Sequence, residues 1–410
     1  MAMEQFDVVV VGGGIAGSAL AAALAPTGIR VLVLERQTTY RDKVRGEYMQ
    51  PWGVAEVQRL GLEQTLLDAG GGYSTALATY GRHVEPDVAG VAAVPLSMLL
   101  PGVPGAMCVG HPQLSEALNT LAGDRGATVV RGVGDVEVTA GLAPTVRYEF
   151  DGMLEEVSCR LVVGADGRQS TTRRALHIEL EQATSKATLG GMLVHSEGLT
   201  STTSFVGTED GHHFLAFPRP GGFVRLYLSL DAGAPATGPD RARHMQEAFR
   251  LECIPDGDLL ADATPAGPCS YYQGSDSWTD RPFADGVVLI GDAAGWNDPV
   301  IGEGLSVTMR DVRLVSEAMQ ASDEWVPSTF EPYVAERTER MRRLRMTAHL
   351  ATELRCTFTP EAAARRLAVG EQMMTDPLLF GLLVSSLTGP ETGPAEAFTE
   401  ENLERILAMS

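Results

Sequence analysis

Residues 6–35 read FDVVVVGGGIAGSALAAALAPTGIRVLVLE, and this stretch decides the fold. The β-branched run at 6–11 is a short buried strand. The Ala- and Leu-rich segment after GGGIAG favours helix until Pro26 and Gly28 stop it, and RVLVLE at 30–35 is a second buried strand. Strand, helix and strand in that order form a βαβ unit and imply a parallel sheet. Gly12, Gly14 and Gly17 fit GxGxxG at the first strand–helix junction, and Glu35 closes the second strand 18 residues further on. Each position has a mechanical reason. Gly12 makes the tight turn, Gly14 lets a backbone approach a pyrophosphate at the positive end of the helix, and Gly17 permits close helix packing. Glu35 can accept hydrogen bonds from a ribose. A bound dinucleotide is expected here, touched also by Ile15 and Ala16 in the turn and by Arg36 beside the acid.

Outward from this unit, α/β pieces recur. The spacing predicts a helix over 112–123, strands within 127–138 and 159–167, a buried strand at 287–292 and a helix after it. Between them, 77–108 is rich in Pro and Gly. Residues 187–231 alternate around the turn RPGG, as in GHHFLAFP and FVRLYLSL, which predicts an antiparallel sheet. From about 331 the chain is rich in Ala, Leu, Met, Glu and Arg and reads as helices.

The 410 residues leave room for two or three domains, and 44% hydrophobic with 21% charged residues excludes disordered and fibrous classes. No apolar run approaches the ~18 residues a membrane helix needs, and the first residues lack a basic segment followed by a signal-type apolar stretch. A cytoplasmic protein without membrane insertion is expected. Five scattered cysteines, with no CxxC and no nearby histidine pattern, point to reduced thiols and no metal site. The net charge of −21 disfavours nucleic acid and anionic lipid as partners.

Two later segments extend the reading. VVGADGRQSTTRRAL carries Asp166, and VVLIGDAAGWNDPVIGEGLSVTMRD carries Gly291, Asp292, Pro299, Gly302, Gly304 and Asp311. With GxGxxG they resemble, in order, the three flavin motifs of the p-hydroxybenzoate hydroxylase-type superfamily of FAD-dependent monooxygenases. The resemblance implies an α/β fold: a Rossmann-like FAD-binding domain interrupted by an antiparallel-sheet substrate domain, with C-terminal helices. Residues 1–76, 109–180 and 278–330 would form the FAD domain, 77–108 and 181–277 the substrate domain, and 331–410 the helical region. It further implies noncovalent FAD, with Asp166 among its contacts, Asp292 on the ribityl hydroxyls, and the helix opening at 302–305, Leu305 included, against the reduced ring. RGEYMQPWGVAEVQRLGL at 45–62 and HPQLSEAL at 111–118 occupy the places of two further family segments. By that match Arg45 and Gln113 contact the cofactor and 46–50 lie near a ring that can swing, while His111 departs from the family's Arg. The implied activity uses NAD(P)H and O2 to hydroxylate or epoxidise a largely apolar, aromatic or polyketide-like small molecule through a flavin hydroperoxide. No second complete GxGxxG follows a strand, so NAD(P)H is expected as a transient co-substrate.

Departures from the pattern keep other readings open. Gly295 stands where the family often has His and Ser306 where it often has Asn, and GDAAG also occurs in relatives that reduce isoprenoid double bonds. A reductase is therefore the second reading. HHFLAFP at 212–218 meets the halogenase and isoprenoid-reductase strand patterns only at Phe217 and Pro218, and Lys43 and Lys186 lack a halogenase context. A halogenase and a non-catalytic ligand-binding flavoprotein are further alternatives. Phe217, Pro218, Tyr227 and Trp296 are the candidate substrate contacts. Along 224–230, Val224, Leu226, Leu228 and Leu230 share one strand face, and Arg225, Tyr227 and Ser229 the other. Asp298 is a candidate base that equally suits a turn, and His213 a candidate proton relay whose position suits an edge or core histidine better.

Overall fold

Val8–Val11 is buried on both faces because two layers clamp it. Val8 and Val10 pack with Ala19 and Leu20 of the helix Ile15–Leu24, while Val9 and Val11 meet Val146 and Tyr148 on the far side. Period-two alternation thus feeds two cores from one strand. The computed structural model describes residues 4–44, 46–81, 85–209, 211–231, 238 and 240–409.

The central sheet runs Thr128–Arg131, Val31–Glu35, Val8–Val11, Leu161–Gly164, Val287–Leu289 and Phe283–Ala284. All neighbours are parallel except the last pair. The helices Ile15–Leu24, His111–Asp124 and Gly304–Gln320 cover one face. A four-stranded sheet, Glu4–Gln5, Met153–Ser158, Thr145–Phe150 and Val136–Thr139, covers the other.

A second sheet forms a roof. Ala187–His195, Phe223–Asp231, His212–Arg219 and Thr203–Glu209 are antiparallel neighbours in that order. The strand Ala76–Tyr80 then adds in parallel and Val94–Pro95 pairs beyond it, so the Pro- and Gly-rich stretch after residue 76 also feeds this sheet. On the outer face Phe214, Ala216, Val224, Leu226 and Leu228 pack with Met245 and Leu260. The inner face turns toward the central sheet's carboxyl ends, where ligands bind in open α/β sheets.

The C-terminal part is helical as its composition predicts: Pro327–Arg355, Pro360–Gln372, Pro377–Thr388 and Glu400–Leu407. Three starts carry side-chain caps, with Thr359 accepting from the Ala362 N–H, Asp376 from Leu378 and Leu379, and Thr399 from Asn402. Among the described residues no single helix is long and apolar enough to cross a membrane.

Candidate active site

The glycines of the first turn differ in what surrounds them. Gly12 has φ +104°, and a Cβ there would lie 2.5 Å from the Ala165 carbonyl oxygen. A Cβ on Gly17 would lie 2.0 Å from the Gly12 oxygen. At Gly14, by contrast, a Cβ meets nothing within 4 Å, and no side chain caps the helix that starts there. The first N–H groups therefore face open space, which suits an anionic pyrophosphate. Glu35 is oriented by two backbone donors, Gly13 N–H at 2.8 Å and Gln37 N–H at 2.6 Å. Asp166 takes the N–H groups of Thr171 and Thr172 on one oxygen, while its other oxygen is buried with no protein partner. An open helix start and an unpaired carboxylate oxygen fit a dinucleotide with hydroxyl donors.

The segment after Val287–Leu289 is held from behind. Asp311, fully buried, accepts the Gly291 N–H at 2.8 Å and bonds Arg337 and Arg340. Burial opposes its charge, but the two guanidinium groups hold the carboxyl below its usual value. Asp292 then reaches the cavity, where Arg168 donates to it at 3.2 Å and lies over the Trp296 ring. Gly295 has φ +107°, and a Cβ would come within 2.4 Å of the Ser277 oxygen, so this backbone has no place for a histidine. Ser306 accepts the Gln50 N–H at 3.2 Å, and Gln50 donates to the Ile301 carbonyl at 2.9 Å, tying the loop before 51 to this turn. Glu303 lines the cavity with one oxygen on Trp52 Nε1 at 2.9 Å and the other unpartnered, and burial pushes its carboxyl well up.

One cavity of about 330 Å³ joins these parts. Gly14, Ile15, Ala16, Asp292, Pro299, Gly302, Gly304 and Leu305 border it together with Phe217, Tyr227 and Trp296. Leu77, Leu189, Val206 and Leu215 extend the apolar wall, and Arg355, Ser386 and Leu387 close it from the C-terminal helices. Tyr48 stacks on Phe217 with centroids 4.2 Å apart, and Tyr227 tilts against the same ring.

Several expected residues stand elsewhere. Pro218 lies on the roof's outer face and borders a second cavity of about 220 Å³, because it alternates with Phe217. Asp298 does not line the main cavity; its carboxylate accepts the Val300 N–H at 3.0 Å and caps the turn Pro299–Ile301. His213 is also absent from the lining. Its Nδ1 donates to the Gly207 carbonyl at 2.6 Å, and burial, with Arg355 nearby, lowers its pKa to about 3, so it is neutral. Gly12, Gly17, Glu35 and Asp166 shape the turn without bordering the cavity, and Arg36 and Gln113 are exposed outside it. Arg45 lies outside the described residues. Neither Lys43 nor Lys186 borders the cavity, and Lys186 pairs with Glu353.

Sequence reasoning missed the contact that locks the roof onto the 42–50 loop. Arg225, fully buried, donates to both Glu47 oxygens at 2.8 Å and to Asp42 at 2.8 Å, and Arg219 adds a longer contact to Glu47. Val44 sits in the same loop at φ +54°, an uncommon conformation for a β-branched residue, and packs on Gly191, where a Cβ would lie 2.4 Å from it. The available signal was that Arg225 shares its strand face with Tyr227.

An open helix N-terminus, a second cofactor turn and a roofed apolar cavity between them define an FAD-dependent oxidoreductase. The chain belongs to the FAD binding domain family, which it matches over residues 5–348, and FAD is its cofactor. It is 28% identical over 382 residues to rifampicin monooxygenase of Streptomyces venezuelae, covering 88% of this chain and 74% of that protein. It is 28% identical over 377 residues to menaquinone reductase of Mycolicibacterium smegmatis, covering 86% of each. The solved structure of p-nitrophenol 4-monooxygenase PnpA from Pseudomonas putida DLL-E4 shares the fold, with a TM-score of 0.79 over 94% of this chain and 99% of that one at 19% identity. The chain is therefore an enzyme of the FAD-dependent monooxygenase and hydroxylase group.

Proposed function

We propose that the protein is an NAD(P)H-dependent monooxygenase that hydroxylates or epoxidises a largely apolar, aromatic or polyketide-like small molecule. One observation carries this: a single cavity runs from the cofactor turns at Gly14–Ala16 and Gly302–Leu305 to a wall built of Phe217, Leu215, Val206 and Leu77. When bound, FAD supplies the redox chemistry, taking reducing equivalents from NAD(P)H and activating O2. The chain supplies place and environment. Gly14, Ile15 and Ala16 would hold the pyrophosphate, Glu35 and Arg36 the adenosine end, and Asp292 the ribityl chain. Asp166 and Gln113 would complete the set of contacts. The N–H groups opening Gly304–Gln320 stabilise negative charge beside Pro299, Gly302 and Leu305. Phe217, Tyr227 and Trp296 hold the substrate in a largely apolar space that excludes water.

A second reading, reduction of a carbon–carbon double bond, is favoured by the enforced Gly295 and by the likeness to a menaquinone reductase. The test is product mass after turnover of the holoenzyme with NADPH and isotope-labelled O2 on a panel of aromatic polyketides and prenylated quinones. Label in the product supports oxygenation; a gain of two hydrogens without label replaces it with reduction. NADPH that is never consumed leaves only ligand binding. A companion variant tests the cofactor contacts: Gly14→Val should fold normally, since its Cβ has room, yet purify without flavin absorbance.

A further inference from the structure

Asn297 borders the main cavity, is 5% exposed, and its Oδ1 has no hydrogen-bonding partner. Its Nδ2 donates to Asp276 Oδ1 at 2.5 Å, and the same oxygen accepts the backbone N–H of Asp298 at 2.8 Å. Asp276 is itself buried and stands between the strands Ser270–Gly274 and Ser277–Trp278, where the chain leaves the roof. Two donors on one carboxylate oxygen fix the amide plane. Burial raises the Asp276 pKa to about 7, but its Oδ1 already accepts a backbone N–H and so is the acceptor oxygen in either protonation state; it selects the nitrogen end of the amide and leaves the amide oxygen as an acceptor. A buried acceptor without a donor costs ~1–3 kcal/mol. Asp298 cannot answer it, because its own carboxylate holds the Val300 N–H. Asn297 borders the cavity, but its oxygen is shut off from that space, so a donor entering there meets it only as the side chain turns toward the ligand.

Resting on the monooxygenase reading above, we propose that Asn297 is the hydrogen-bond acceptor that orients the ligand, with Asp276 as its positioning residue. The ligand then carries an O–H or N–H donor on an otherwise apolar frame, and a pure hydrocarbon chain is a poor fit. Discrimination follows from the unpaired oxygen: a ligand without the donor leaves it buried and unsatisfied, which costs roughly tenfold or more in affinity. Trp296 and Pro299, on either side of the Asn297–Asp298 pair, border the same cavity, so the acceptor is set among the residues that frame the ligand.

The experiment uses the FAD-loaded protein with two probes, naphthol and methoxynaphthalene; the methyl that removes the donor also adds volume, which the comparison with Asn297→Leu subtracts. Binding is read from the flavin spectrum, and turnover from NADPH oxidation and labelled oxygen in the product. Wild type should hold naphthol at least tenfold tighter. Asn297→Leu, which keeps a similar volume and removes the unpaired oxygen, should bind both probes within about threefold of each other, the ether gaining the affinity that the unsatisfied oxygen cost it. Asp276→Asn should raise KM for naphthol several-fold while leaving kcat near wild type, as a positioning role requires. Equal affinities in wild type overturn the proposal. So does an Asn297→Leu protein that keeps the preference, or one that purifies without FAD, which would make the cofactor the donor. Tight naphthol binding without NADPH use or oxygen incorporation leaves Asn297 as the acceptor and removes the monooxygenase reading. Both probes oxygenated at equal affinity does the reverse.

Discussion

Asp311 sits between Arg337 and Arg340, and Glu47 sits against Arg225 and Arg219; both carboxylates are buried and both are held by two arginines. The surroundings differ. Arg337 and Arg340 also donate to the carbonyls of Gly291, Ala294, Gly295 and Val307, so their donors are occupied and tie two helices to one cofactor turn. Arg225 Nη1 and Arg219 Nε have no partner, and their cluster spans the seam between roof and loop. A fully bonded buried cluster fixes structure, whereas one with idle donors at a seam can exchange partners. The first cluster therefore belongs to the fold and the second to the working of the site.

The largest effect should come from breaking the saturated cluster. Asp311→Asn leaves two buried guanidinium groups without their shared charge and loosens Gly291, and should cost about 3–5 kcal/mol in urea unfolding and release FAD. Arg225→Met removes the same kind of bond, but Arg219 remains within reach of Glu47, so about 2 kcal/mol is expected, with FAD retained. Stopped-flow reduction by NADPH should change at least tenfold in this variant, because the loop it anchors borders the cavity at Gly46 and Glu47. An Arg225→Met protein that unfolds as readily as Asp311→Asn, with normal reduction, would erase the distinction.

A pH scan sharpens it further. Asp311 is held below its ordinary value, so its contribution is present above that value and lost as pH falls through the lower one. On the roof side His213 has a folded pKa of about 3 against 6.5, so the unfolded chain binds more protons in between. Its contribution is complete above 6.5 and declines as pH falls, by about 2 kcal/mol between pH 6.5 and 5. His213→Gln should lose less stability than wild type over that interval; an identical loss would assign the slope to other groups.

How much of this was legible follows the range of each interaction. The βαβ unit, its three glycines and the face assignment of Val224, Leu226 and Leu228 were readable, because strand period and turn sterics act over a few residues. Pro218 was misplaced by attending to the motif HHFLAFP rather than to its alternation. Asp298 was readable as either base or cap, and the cap is what the backbone uses. Arg225 with Glu47, Arg337 with Asp311, and the wall from Arg355 to Leu387 depend on residues brought together by topology, and charge or apolar character alone does not reveal the partner. Gly295 was seen as a departure, but its cause, the neighbouring strand Ser277–Trp278, lies outside its motif.

The smallest effects concern the two cavity walls themselves, floor against roof. Trp296 belongs to the floor, where the Arg168 guanidinium lies 5.0 Å over its ring while also bonding Asp292. Tyr227 belongs to the roof, with its ring 5.8 Å from Phe217 and burial raising its hydroxyl pKa well above the usual value, so it stays a neutral donor. Trp296→Ala removes an aromatic surface and frees Arg168, and should weaken ligand binding roughly tenfold, about 1.4 kcal/mol. Tyr227→Phe deletes one hydroxyl from an otherwise intact ring and should weaken it roughly threefold. Both should lower the fraction of NADPH oxidation that yields product, since a looser ligand lets reducing equivalents escape to O2. Titration of ligand into each variant, with product measured against NADPH used, decides the matter. If both variants keep wild-type affinity and coupling, the ligand does not lie between these walls.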